Sequence, residues 1–366
     1  MKVVKSLIRK FKINKMMANI NFDKEDRRTQ NNRERLAKEA FEFWYDNLNE
    51  KEFTTLRSIV DNFSYYSFTR VGDSFEKLSK TIAFKEVFNP EKTVFMPLKK
   101  HNNRTETSIG IFLPFMNALG IDSMHTSLDN SDRWLKNYIE IQNKYEGIKA
   151  ENDKFLDEEN NLQIEINQLN EEIRSGVYTK EEQSEKRDRI REIKKRQKAI
   201  QSEKQTRLNT VRKHHGFDID SENVVIVDDF LCSGSSLNKF LSDTKIYIEN
   251  IDKKFYFVFL EVLEEARIEI EESILRENIS EKVIIIYVNK SLNYEQNVLQ
   301  SEEKKSEFRK IKTELYERYN IKDDANYKVK THVASYLNAP NTNYGFLSNK
   351  TQEEGWKYPF PRSKRG

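Results

Sequence analysis

The chain has 366 residues, with 63 Lys plus Arg against 60 Asp plus Glu, 34 % charged and 37 % hydrophobic side chains, and a mean hydropathy of −0.83. The apolar share lies below the ~45–50 % of ordinary globular chains, yet 23 Phe, 16 Tyr and 3 Trp exclude full disorder. No apolar run approaches the ~18–20 residues of a membrane span, a net charge of +3 gives no global field for nucleic acid, and one cysteine, Cys232, excludes an intramolecular disulfide and a zinc cluster.

Met1 to Lys15 is basic but lacks the apolar stretch of a secretory signal, so a cytoplasmic protein is expected. Val4, Leu7, Ile8 and Phe11 recur at helical spacing. They predict a short basic amphipathic helix, docked on the domain or facing a polyanion or membrane surface. Residues 31–88 read as several helices, ended by Asn89-Pro90. Thr93–Met96 then reads as a buried strand, Lys99–Thr107 as a polar loop, and Ile109–Leu119 as a helix capped by Gly120. Strand, loop and helix open an α/β unit.

The excess charge lies in residues 136–213. Apolar side chains step by 3 and 4 through Trp134, Tyr138, Ile141, Tyr145, Ile148, Phe155, Leu162, Ile166, Leu169 and Ile173, with Asn152 and Glu159 in two core positions. Arg174-Ser175-Gly176 breaks the pattern, and Thr179 with Glu182 forms a capping box that restarts a helix. The second arm is weakly patterned, with Ile190, Ile193, Ile200 and Val211. Residues 136–174 carry five basic and ten acidic side chains, whereas residues 180–213 carry 13 and six. Opposite charge predicts an antiparallel coiled-coil hairpin over 134–213 with arms of roughly 50–60 Å, suited to self-association or to docking a protein partner. His214-His215 reads as charge at a helix C-terminus.

Beyond the hairpin the α/β pattern resumes. Val224–Val227, Phe255–Leu260 and Val283–Val288 read as strands covered on both faces, with a helix over Glu264–Arg276 between the last two and a charged one over Ser301–Tyr319. The expected fold is therefore α/β, with a doubly wound, mostly parallel sheet. Residues 1–88 form an N-terminal helical region, 89–133 and 214–366 the α/β domain, and 134–213 the insertion. The tail from Asn338 to Arg365 reads as irregular but adherent; Trp356, Tyr358 and Phe360 would pack in the core or stack on a base.

The segment richest in chemistry is Val224-Val225-Ile226-Val227-Asp228-Asp229-Phe230-Leu231-Cys232-Ser233-Gly234-Ser235-Ser236. A buried strand runs into two adjacent carboxylates and then into a small, hydroxyl-rich loop before a helix. Cys232, Ser233, Gly234, Ser235 and Ser236 offer consecutive amides, three hydroxyls and one glycine to a phosphate. Asp228 and Asp229 suit the vicinal hydroxyls of a ribose, or Mg²⁺ directly or through water. A phosphorylated sugar fits between the two halves.

This segment resembles the phosphoribosyl pyrophosphate (PRPP) signature of type I phosphoribosyltransferases. By that resemblance Asp228 and Asp229 face the ribose hydroxyls, with Mg²⁺ as cofactor, and the loop cradles the 5-phosphate. The resemblance also implies a diphosphate loop after the first strand, here Pro97 to Arg104, where Lys99, Lys100 and Arg104 would neutralise the diphosphate. The small residues usual in that loop are missing. The tail, Ala339–Asn343 and Gly355–Arg362, is similar to the phosphoribosyltransferase-like proteins of bacterial conflict systems (the PRTase-CE group), with a region of likeness from about residue 35 to 363. Some of that group accompany retron reverse transcriptases in antiphage defence. The implied roles are a transferase that uses PRPP, or a catalytically inactive sensor of phosphoribosyl nucleotides that docks a partner, such as a reverse transcriptase–nucleic acid complex, through the hairpin.

Overall fold

The computed structural model describes residues 2–20, 22, 30–81, 84–85, 89–98, 107–121, 131–322, 330–335, 339–340, 343–348 and 355–361. The chain divides into two compact units, residues 1–133 with 222–366, and residues 134–221.

The first unit is built on four strands, β2 (Thr93–Pro97), β3 (Asn223–Leu231), β4 (Lys254–Leu263) and β5 (Val283–Ser291), in that order across the sheet and all parallel. Runs such as Val224–Val227 and Phe255–Leu260 are apolar throughout because both faces of the sheet are covered. On one face lie α4 (Phe68–Ser79) and α5 (Thr107–Leu119); their Phe75, Phe112 and Phe115 pack with Phe95, Val225, Val227, Tyr256 and Val258. On the other lie α8 (Ser235–Asn250) and α9 (Glu264–Arg276), where the Phe240 ring meets Phe257 at 5.7 Å and Ala266, Ile270 and Ile274 are buried. Alternate strand residues thus feed two cores, as the doubly wound reading requires.

A second core of this unit gathers α1 (Lys2–Ile20), α2 (Gln30–Asn47), α3 (Glu50–Asp61), α10 (Glu302–Arg318) and the tail. A short parallel pair, β1 (Ser64–Tyr66) with β6 (Val333–Ser335), adjoins it. Trp356, Tyr358 and Phe360 are buried there. Phe360 stacks on Phe63 at 4.1 Å, Trp356 lies 5.7 Å from Trp44, and the Trp356 indole donates to the Phe346 carbonyl. Of the two readings of these rings, the structure takes core packing. In α1 the docked face is Ile13, Met16 and Ile20, whereas Leu7 and Phe11 are 62 % and 70 % exposed. The docked face is therefore opposite to Leu7 and Phe11, so of the two readings of these side chains the docked one does not hold, because the later turns supply the side chains that reach the core.

The second unit is an antiparallel helical hairpin of α6 (Ser131–Arg174) and α7 (Lys180–Asp220). Gly176, at φ +69°, makes the turn, and Thr179 and Glu182 exchange backbone hydrogen bonds at 2.8 and 3.3 Å as a capping box. Leu162, Ile166, Leu169 and Ile173 pack with Ile190 and Ile193. Asn152 is buried in the seam and donates to the Lys204 carbonyl at 3.4 Å; Glu159 pairs with the Lys204 ammonium at 2.8 Å. The second arm does not stop near Lys213: α7 continues through His214, His215 and Gly216 to Asp220, so the two histidines do not mark a helix C-terminus. Among the described residues, no helix is long and apolar enough to cross a membrane.

Candidate functional site

Strand β3 ends at the carboxyl edge of the sheet, where open α/β sheets bind ligands. Val224–Val227 are buried, Asp228, Asp229 and Phe230 half-buried, and Leu231 and Cys232 buried again. The acid pair thus emerges where the strand leaves its cover. Asp228 Oδ1 accepts the amide of Asp229 at 2.9 Å, and Asp229 Oδ1 accepts the amide of Phe230 at 2.8 Å. These local bonds fix both carboxylates against their own backbone.

The loop that follows turns through Gly234, at φ +69° in the left-handed region. A Cβ there would lie 3.0 Å from Ile270 Cδ1 of α9, so conformation and packing both call for glycine. Gly234 occupies the N-cap position of α8, with no side-chain cap. Its carbonyl accepts from Asn238 at 2.8 Å, while Ser233 and Ser235 share a hydroxyl–hydroxyl bond of 3.0 Å. Ser235 and Ser236 are exposed on the first turn, where amides and the helix dipole favour an anion. Cys232 faces the apolar core with Phe75, Phe112 and Val227; its side chain serves packing, and its contribution to the loop is backbone.

The basic residues Lys99, Lys100 and Arg104 lie outside the described residues. The two ends of their loop are nevertheless placed. The Leu98 amide donates to the Val227 carbonyl at 2.8 Å, and the Ser108 hydroxyl donates to the Leu98 carbonyl at 2.8 Å. Leu98 therefore lies beside Val227, the residue that precedes Asp228.

One part of this edge is absent from the sequence reading. Glu261, near the end of β4 and in register with Phe230, is only 4 % exposed. The Tyr66 hydroxyl donates to Glu261 Oε2 at 2.8 Å and accepts from Asn289 Nδ2 at 2.6 Å. The Tyr66 ring lies 5.7 Å from that of Phe230, and the Arg70 guanidinium sits 4.8 Å over it. Burial pushes the Glu261 carboxyl above its ordinary range, opposed by hydrogen bonds from Tyr66, Ser291 and Ser64. Burial, reinforced by Glu261, likewise raises the Tyr66 phenol. One clue was available in the sequence: Glu261 is a lone acid inside an otherwise apolar run from Phe255 to Leu263. Its partners come from β1 and β5, which no local pattern brings together.

Among the described residues no three His, Cys, Asp or Glu side chains converge as a metal cage. Two adjacent hard-oxygen carboxylates fit the way Mg²⁺ is usually held, through one or two acids, several waters and the oxygens of a bound phosphate ester.

A parallel sheet covered on both faces, an acid pair at the carboxyl end of its second strand and a glycine-centred, hydroxyl-rich loop opening a helix are the features of a phosphoribosyltransferase-like protein. The family model PRTase-CE matches residues 41–362, and the chain belongs to that family. No curated relative and no solved structure matches the chain.

Proposed function

We propose that the segment from Asp228 to Ser236 binds the phosphoribosyl moiety of PRPP or of a nucleotide, with Mg²⁺, and that the protein acts as an effector in bacterial antiphage defence. The observation that carries the binding site is the placement of Asp228 and Asp229 at the strand end, directly before a Gly234 turn that opens α8. The carboxylates accept hydrogen bonds from the ribose 2′- and 3′-hydroxyls, and the amides and hydroxyls of Ser233, Ser235 and Ser236 hold the 5-phosphate. Mg²⁺, when bound, neutralises diphosphate charge. Lys99, Lys100 and Arg104 follow Leu98, which is bonded to Val227, and in this reading their cations stabilise a departing diphosphate. In transfer, a nucleophile attacks C1 of the ribose, the bond to the diphosphate breaks, and the diphosphate leaves with the electron pair. Catalysis of this kind rests on positioning and electrostatics.

Binding is read by calorimetry of the full chain with PRPP and Mg²⁺, and turnover by ³¹P NMR with candidate nitrogen acceptors. Asp228→Asn with Asp229→Asn is expected to abolish the calorimetric signal while thermal unfolding stays unchanged. A double variant that binds PRPP like the parent overturns the site. Binding without release of diphosphate selects the other reading, a sensor of phosphoribosyl nucleotides, and leaves the defence role to partner docking.

A further inference from the structure

The two flanks of the hairpin differ in charge balance. On one flank the arms neutralise each other: Arg189 of α7 pairs with Glu165 of α6 at 2.9 Å, Arg196 with Glu158 at 2.9 Å and Arg207 with Glu151 at 3.2 Å. On the other flank, at about 100° per residue, Arg187, Lys194 and Lys198 lie within about 40° of one another and Lys195 about 60° further round. All four are exposed, and among the described residues no carboxylate lies within ion-pair distance of them. Arg191, in the same stripe, pairs only with Asp188 of its own helix. The neighbouring row of α6 is uncharged. Gln163, Asn167 and Asn170 are exposed, with Gln197 donating to Gln163 at 3.4 Å and Gln163 to Asn167 at 3.1 Å.

Cations in this stripe do nothing for the pairing of the arms, which the other flank and the apolar seam secure. Like charges three and four residues apart weaken a helix, so the stripe costs the hairpin stability unless an external anion offsets it. The stripe itself holds no large apolar side chain, and the single exposed Leu156, in the row of Gln163 and Asn170, falls short of the apolar centre that protein interfaces bury. Phosphodiester backbones require only cations and hydrogen-bond donors. From Arg187 to Lys198 the helix rises about 16 Å, close to the axial length of about five phosphates of one duplex strand. We propose that this flank of the hairpin, Arg187, Lys194, Lys195 and Lys198 with the amides of Gln163 and Asn167 beside them, is a binding surface for the phosphate backbone of nucleic acid.

The test is fluorescence anisotropy of the full-length protein with short labelled DNA and RNA duplexes across a salt series. The parent is expected to bind one or both, with log K falling linearly in log salt. In the triple variant Lys194→Gln, Lys195→Gln, Lys198→Gln, affinity should fall at least about tenfold and the salt slope should shrink by about 2 to 3. The corresponding Lys→Arg triple should keep both, and Arg189→Gln with Arg196→Gln should change affinity by less than about twofold. Circular dichroism checks that every variant retains its helix, for which Gln is a good former. Failure of the parent to bind either duplex overturns the proposal. So does binding that the Gln triple leaves intact but Lys5→Gln with Lys10→Gln removes, which would place the contact on α1.

Discussion

The sheet and the hairpin belong to one chain but are held together by different physics. In the sheet, Phe257, Val225 and Val227 sit in a buried, two-sided core, and burial of apolar surface supplies the stability. In the hairpin, the apolar seam is narrow, with few fully buried side chains such as Ile166, Ile190 and Ile193, Asn152 and the Glu159–Lys204 pair lie along it, and much of the specificity comes from cross-arm charge. A fold can thus carry 34 % charged residues without weakening its core, provided the charge is confined to an element that uses it.

The largest expected effects test this contrast directly. Phe257→Ala should cost about 3–5 kcal/mol and unfold the α/β unit cooperatively. Ile193→Ala, in the thin seam, should cost about 2 kcal/mol and show as faster hydrogen exchange confined to residues 134–221. Denaturant titration with site-resolved exchange separates the two outcomes. Uniform loss of protection after Ile193→Ala would show that the units unfold as one.

Acid should also separate the regions. Burial holds His332 neutral, with its pKa pushed down to about 4. Between about pH 6.5 and 4 the unfolded chain therefore binds a proton that the folded chain does not. The stability that the neutral His332 contributes to the α/β unit is full above about pH 6.5 and falls as the pH drops toward 4, by up to about 3 kcal/mol. In the hairpin, hydrogen bonds from Thr179 hold the Glu182 carboxyl below its ordinary range. The stability this cap contributes is present above the ordinary Glu range and is lost only below it, as the pH falls through the folded-state pKa. Melting followed at several pH values, with His332→Leu as the comparison, should show the first loss in the parent alone.

Smaller effects sharpen the picture at the turn and in the seam. Gly234→Ala forces a left-handed φ on a residue with a Cβ and crowds Ile270, for a loss of about 1–2 kcal/mol and weaker binding of PRPP by calorimetry. A double-mutant cycle on Glu159 and Lys204, both about one-fifth exposed (19 %), should give a coupling of about 1 kcal/mol or less. The exposed Arg196–Glu158 pair should give less still. A larger coupling at the exposed pair would show that surface charge rather than the seam holds the arms.

The sequence alone determined the elements whose signal is local. The apolar runs of β3, β4 and β5, the heptad seam, the Thr179–Glu182 cap and the stretch from Asp228 to Ser236 are each written in consecutive residues, because period and capping chemistry act within a few positions. The family followed from the same stretch and from the tail. Tertiary structure decided the rest. It chose Ile13, Met16 and Ile20 rather than Leu7 and Phe11 as the docked face of α1, since both faces are apolar and only the available core discriminates. It extended α7 past Gly216, where propensity alone suggested an end. It brought Tyr66, Glu261 and Asn289 together beside Phe230 from three separate strands. It also placed Arg187, Lys194 and Lys198 on the flank that α6 leaves uncharged. Composition records how much charge a chain carries, but only packing determines which charges are left to meet something outside it.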